Sequence, residues 1–258
     1  MSKVKNNLQK NIELIKNFAI TDLKIKYRNS VLGFLWTFLE PLLLLGVLYI
    51  VFTNIFKNEI EHFALFLLLG LILYNTLQKG ADFGLNSISS KTSLLTQIYL
   101  PKEIPAISAT ITSSIMLIFE LIVFGIFMAI FQFIPPVTIL LLPLVLLLEF
   151  VLIVGLSLPL SVLNVRFNDI QFIWKVVIQA GFFLTPIFYT IDILPQIIQD
   201  ILKFSPMVQI LNMARDVTLY NTIPSLESIV LGVGTTLVVF AVGYGIFRKL
   251  QPKIVEML

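Results

Sequence analysis

A chain of 258 residues that is 57% hydrophobic and only 13% charged, with a mean hydropathy of +0.95, has too little polar material to cover a water-soluble globule. The solvent this composition demands is lipid, whose core satisfies no open backbone group, so helices are the expected spanning element. The net charge of +3 points to anionic headgroups rather than nucleic acid because the cations gather at the ends of apolar stretches, and the lack of cysteine excludes disulfides, iron–sulfur clusters and thiol catalysis.

The first element occupies residues 1–30. Val4, Leu8, Ile12, Ile15, Phe18 and Ala19 recur at helical spacing, with Lys3, Lys10, Glu13, Lys16 and Asn17 opposite. This predicts an amphipathic basic helix that lies in the inner headgroup layer or packs on the protein at that face. Lys3 to Lys26 is too polar to serve as the apolar core of a cleavable signal.

Six apolar stretches follow, at 31–56, 63–83, 105–133, 138–162, 172–189 and 229–247. Each is close to the roughly 20 residues that a span needs at 1.5 Å per residue. With the N-terminus in the cytoplasm, seven cations before residue 31 share a side with Lys79, Lys91, Lys102, Arg166, Lys175, Arg248, Lys249 and Lys253. The other side keeps Lys57, Lys203 and Arg215. That asymmetry is the positive-inside bias, so both ends are expected in the cytoplasm. With no internal repeat or low-complexity tract, one membrane domain over 1–258 is the expectation.

Between the second and third stretches, 84–103 mixes Ser87, Ser89, Ser90 and Thr92 with Leu94, Leu95, Ile98 and Leu100. It predicts a short amphipathic helix stopped before Pro101. In the turn at 164–171, Arg166 and Asp169 are expected to pair, an exposed contact contributing at most about 1 kcal/mol. The segment 190–224 repeats Ile193, Ile197, Ile198, Ile201 and Leu202 at helical spacing, then, after Ser205 and Pro206, Val208, Ile210, Leu211 and Ala214. Two short helices dipping into the outer leaflet fit this pattern. Glu40, Glu120 and Glu149 fall inside apolar stretches, where an ionised carboxylate costs on the order of 2.5–3.5 kcal/mol. They should face protein, water or one another, and no intramembrane lysine or histidine offers an obvious partner.

The run TDLKIKYRNSVLGFLWTFLEP at 21–41 resembles the signature of the type-2 ATP-binding-cassette export permeases, through Lys24, Lys26, Tyr27, Arg28, Leu32, Gly33, Trp36 and Pro41. LNVRFNDI at 163–170, TPIFY at 185–189, Leu194-Pro195 and Met213 to Asp216 are similar to later parts of the same family. The chain departs where the family has Asn-Pro and it has Ser205-Pro206. The subgroup it most resembles exports O-antigen, capsule or teichoic-acid polymers.

The resemblance implies an all-α integral membrane protein with six transmembrane helices, an N-terminal interface helix and short outer gate helices. It implies a homodimer that carries a lipid-linked polysaccharide between two copies of an ATPase subunit and the outer face. A separate ATPase is required because the chain has no phosphate-binding loop. ATP and Mg then belong to that partner, and this chain is expected to hold no cofactor, no metal and no catalytic residue. The path falls to Tyr27, Arg28, Phe34, Trp36, Phe38, Glu40, Trp174 and Tyr189, whose aromatic rings suit the apolar faces of sugars. ATPase coupling falls to Ser90, Leu94, Leu95, Ile98, Tyr99, Arg166 and Asp169, and the outer gate to Ile197, Ile201, Pro206 and Arg215. Export of a drug or small lipid stays open beside this reading. A membrane enzyme lacks support, since His62 is the only histidine and no acid cluster stands near it.

Overall fold

The computed structural model describes residues 2–55, 60–97 and 100–253. Ten α-helices run in order through those residues: α1 (Ser2–Lys26), α2 (Trp36–Ile50), α3 (Phe63–Asn86), α4 (Thr92–Gln97), α5 (Ile104–Ile130), α6 (Leu142–Arg166), α7 (Ile170–Leu184), α8 (Gln196–Leu202), α9 (Pro206–Thr218) and α10 (Leu226–Leu250). Short 3-10 turns, and a wider π turn at Val51–Ile55, extend several of them, so that five apolar helices long enough to cross a membrane cover Gly33–Asn54, Phe63–Asn86, Ile104–Ile130, Val137–Arg166 and Leu226–Leu250. The chain is therefore a multi-pass, all-helical membrane protein.

The middle of the bundle is α3, with 89% of its apolar window buried against 17% for the Gly33–Asn54 and Leu226–Leu250 helices. It packs on α2, α5, α6, α7 and α9. Lipid offers helices no hydrophobic reason to associate, so close backbone approach has to hold them together. One close approach is between α6 and α10, where a Cβ on Gly243 would collide with the Gly155 carbonyl oxygen. Between α3 and α6, a Cβ on Gly84 would collide with Ser157, and Ser157 Oγ donates to the Gly80 carbonyl at 3.2 Å.

One end of the bundle carries α1 and α4. Asn29, with φ of 63°, ends α1 by turning the chain in the left-handed region. Asp22 of α1 then pairs with Lys91 at 2.9 Å. The far end of α10 lies there too, since Lys102 Nζ donates to the Gln251 carbonyl at 2.8 Å. The other end carries α8 and α9, which Gln209 ties to α10 by donating to the Lys203 carbonyl at 2.7 Å and accepting from Ser228 Oγ at 2.7 Å.

Two expectations change. The fifth stretch, predicted over 172–189, is helical only to Leu184. Pro186 biases Thr185 to extended backbone, with ψ of 133°, and the Tyr189 hydroxyl donates to the Phe183 and Leu184 carbonyls left at the helix end, at 3.0 and 2.8 Å. At 15 residues, α7 is about 22 Å long. The second change concerns the pair of short helices expected in 190–224. α8 keeps Ile197 and Ile201 exposed at 76% and 66%, as a helix resting in lipid should. By contrast α9, from Met207 to Thr218, is buried on nearly every side, a plug in the protein and not a helix laid on the leaflet.

Candidate functional site

At the α1 end, the tail of α1 and the start of α2 form an aromatic cluster. Phe34 meets Tyr27 at 5.4 Å, Phe38 at 5.7 Å and Phe119 of α5 at 4.7 Å, each edge-to-face, the geometry that ring quadrupoles favour. The Tyr27 hydroxyl shares a 2.5 Å hydrogen bond with buried Thr37 Oγ1. Trp36, 44% exposed, begins a ridge on the open face of α2 that continues through Glu40, Leu43, Val47 and Ile50, spaced by three and four residues. Arg28, after the end of α1, is exposed as well.

Beneath that cluster lies a charged lock that links three helices. Lys79 of α3 reaches Glu40 of α2 at 2.8 Å and Glu120 of α5 at 3.0 Å. The Lys79 and Glu120 side chains are only 10% and 1% exposed, whereas Glu40 is 55% exposed. This corrects one expectation: Lys79, counted from the sequence among the cytoplasmic cations, is a buried residue of α3 and is the partner that Glu40 and Glu120 had lacked. The physical reason is that neither carboxylate is tolerated at this depth without an opposite charge. Lys26 stands close by, its ammonium 4.9 Å from the Phe83 ring centroid. Partial burial and nearby Lys79 lower its pKa, while Glu40, Glu120 and Asp82 pull the other way. Trp174 of α7 donates from Nε1 to Asp82 Oδ1 at 2.9 Å, so it fastens α7 to α3.

Glu149 of α6 is wholly buried, and neither of its oxygens has a hydrogen-bond partner among the described residues. It lies within electrostatic reach of Glu120 in the lock, without bonding to it.

In the expected coupling segment, Leu94 is 40% exposed and Ser90 is exposed one turn earlier. Leu95 turns inward against Ile88, Ala106, Val154, Leu158, Val162 and Phe247. The segment is anchored on two sides, by the Lys91–Asp22 pair and by Asn164 Nδ2 donating to the Leu85 carbonyl at 3.2 Å. Ile98 and Tyr99, named for the same role, lie outside the described residues. Arg166 and Asp169 form no ion pair, contrary to expectation; the Arg166 guanidinium sits 5.1 Å from the Phe167 ring centroid, a contact the extended backbone at Phe167 places within its reach.

At the opposite end, Arg215 is 3% exposed. Its guanidinium donates to the carbonyls of Pro186 at 2.6 Å, Ile187 at 2.8 Å and Phe66 at 3.3 Å and lies 3.3 Å over the Phe66 ring. Arg215 thus answers the backbone groups that Pro186 frees, pinning α9 to α3 and to the chain leaving α7. Burial lowers its pKa to about 9, which still leaves it charged at neutral pH. Pro206 is the first residue of α9, as expected, but Ser205 makes no side-chain cap bond.

Tyr27, Phe34, Phe38 and Glu40 thus gather in one place, with Trp36 on the neighbouring ridge. Trp174 joins the α3 side of that region through Asp82, and Tyr189 caps a helix away from them. Lys79, Asp82, Thr37 and Phe119 were not singled out from the sequence. A lysine and an aspartate inside the stretch 63–83 were the available signal for two of them.

Comparison with known proteins agrees with this architecture. The family described as ABC-2 type transporter matches residues 14–219. The chain is 25% identical over 257 residues to an O-antigen export system permease protein RfbA of Klebsiella pneumoniae, covering 99% of each chain. It is 28% identical over 254 residues to the protein of the same name from Myxococcus xanthus, covering 95% of each. A membrane bundle of this helix order, matched over most of its length by that family, leads to one assignment: the chain belongs to the ABC-2 type transporter family.

Proposed function

We propose that the chain is the permease subunit of an ATP-driven exporter of lipid-linked, O-antigen-like polysaccharide, set in the inner membrane with both ends in the cytoplasm. The observation that carries this reading is the end-to-end similarity to O-antigen export permeases, which covers 99% of both chains in the Klebsiella pneumoniae case. The reading takes α7 as a sixth crossing, because an even number of crossings accounts for α1 and the end of α10 sharing one end of the bundle.

A bundle filled by α3 leaves no wide channel within one copy. Two copies related by a two-fold axis would form one at their seam, and the open ridge from Trp36 to Ile50 on α2 is the surface this reading puts there. Tyr27, Arg28, Phe34, Phe38 and Glu40 then stand at the cytoplasmic entry, where aromatic faces meet sugar rings and Arg28 meets the phosphate of a lipid carrier. The segment 84–103 is the contact for the two ATPase subunits, which hold ATP and Mg. Exposed Ser90 and Leu94 touch the motor, and inward Leu95 passes the movement to α5, α6 and α10. The segment 190–224 forms the outer gate, with α8 as its mobile part and α9 as its fixed part.

Depletion of the chain in its native host tests this reading. The expected result is loss of surface polysaccharide with lipid-linked glycan retained in the cytoplasm. Normal surface glycan, with a drug or small lipid retained instead, would overturn it.

A further inference from the structure

At the end of the bundle that carries α8 and α9, a cavity of about 350 Å³ opens between α9, the chain after Pro186 and the start of α10. Small-ligand sites begin at roughly this size, about 300 Å³. Its floor is Arg215 and its walls include Asn212, Asp216, Asp192, Phe66 and Tyr220. Asn212, Arg215 and Asp216 stand three and four residues apart, on one side of α9.

Arg215 is committed to the protein: its guanidinium gives three of its four terminal N–H donors to carbonyls, and its Nε is buried. The groups left to meet a ligand are Asn212, Asp192 and Asp216 on the walls, and they select it. Asp192 and Asp216 repel an anion. The Arg215 charge behind them repels a metal ion, for which two carboxylates are in any case too few ligands. An apolar molecule leaves the carboxylates and the Asn212 amide unpaired. A neutral molecule with adjacent hydroxyls suits each of them: it accepts from the Asn212 amide, donates to the two carboxylates, and lays its C–H face on Tyr220, which is 47% exposed at the rim.

We propose that this cavity binds one neutral sugar residue of the glycan as it leaves the outer mouth. The inference rests on the export reading above and extends it to a site of release. Ligand-observed NMR on the full chain in lipid nanodiscs tests it, using D-glucose, D-galactose, D-mannose and L-rhamnose as probes, with D-glucuronate and inorganic phosphate as anionic comparisons. Saturable binding of at least one neutral sugar is expected, weaker by about tenfold in Asp216→Asn and in Asn212→Ala, since each removes one desolvated hydrogen-bond partner. Thermal unfolding run alongside shows that each variant is folded. No saturable binding of any neutral sugar, unchanged binding in both variants, or preferred binding of phosphate or glucuronate would overturn the assignment. The two readings fail separately. Glycan retained on depletion without sugar binding rejects the cavity alone, and sugar binding without glycan retention rejects export alone.

Discussion

Lys79 is the residue on which the joining of α2, α3 and α5 depends. It neutralises carboxylates from two other helices, and removing one member of a buried pair leaves the rest desolvated and uncompensated. Lys79→Met should cost on the order of 3 kcal/mol, read as a lower unfolding midpoint in detergent, and adding Glu120→Gln to it should restore part of the loss. A wild-type midpoint in the single variant would show that the lock contributes nothing. Arg215→Lys should also destabilise, by about 1–3 kcal/mol, because an ammonium cannot reproduce the planar fork that serves three carbonyls. These residues were only half legible in the sequence. The cost of Glu40 and Glu120 follows from hydropathy alone, but their partner stands on another helix, dozens of residues away. Hydropathy weighs one helix at a time, so it did not show that Lys79 and Arg215 are buried between helices.

The elements divide into those welded by backbone contact and those left open. Gly243→Ala should force α10 off α6 and lower the unfolding midpoint, an overpacking cost of about 1–3 kcal/mol. Gly125→Ala, with nothing near its Cβ, should leave the midpoint unchanged or raise it, because alanine favours helix over glycine. Equal midpoints in the two variants would contradict the packing account. In the coupling segment, Leu94→Asp should abolish ATPase stimulation while the fold persists, and Leu95→Asp should weaken the fold itself, measured as hydrolysis and unfolding side by side. Helix existence was readable throughout, because apolar length and composition set it. Where helices end was less so. Pro186 ended α7 ahead of the apolar run, and the depth of α9 depended on Arg215 finding carbonyls of α3 and of the chain after α7, which periodicity within α9 does not encode.

For the whole molecule, the account is a two-ended one. On the proposed reading, the end with α1 and α4 meets a motor in the cytoplasm, and the end with α8 and α9 opens outward. The number of apolar stretches and the lopsided lysines and arginines suggested this division from sequence. The pairs Lys91–Asp22 and Lys102–Gln251 carry it into three dimensions by bringing α1, α4 and the far end of α10 together. Because the chain has no cysteine, single cysteines report sidedness without background. The direct measurement is labelling of Ser90→Cys and Gln196→Cys by a membrane-impermeant maleimide on intact spheroplasts and after permeabilisation. Cysteine at 196 should react in intact cells and cysteine at 90 only once the membrane is opened; a cysteine at 90 that reacts from outside would contradict the account.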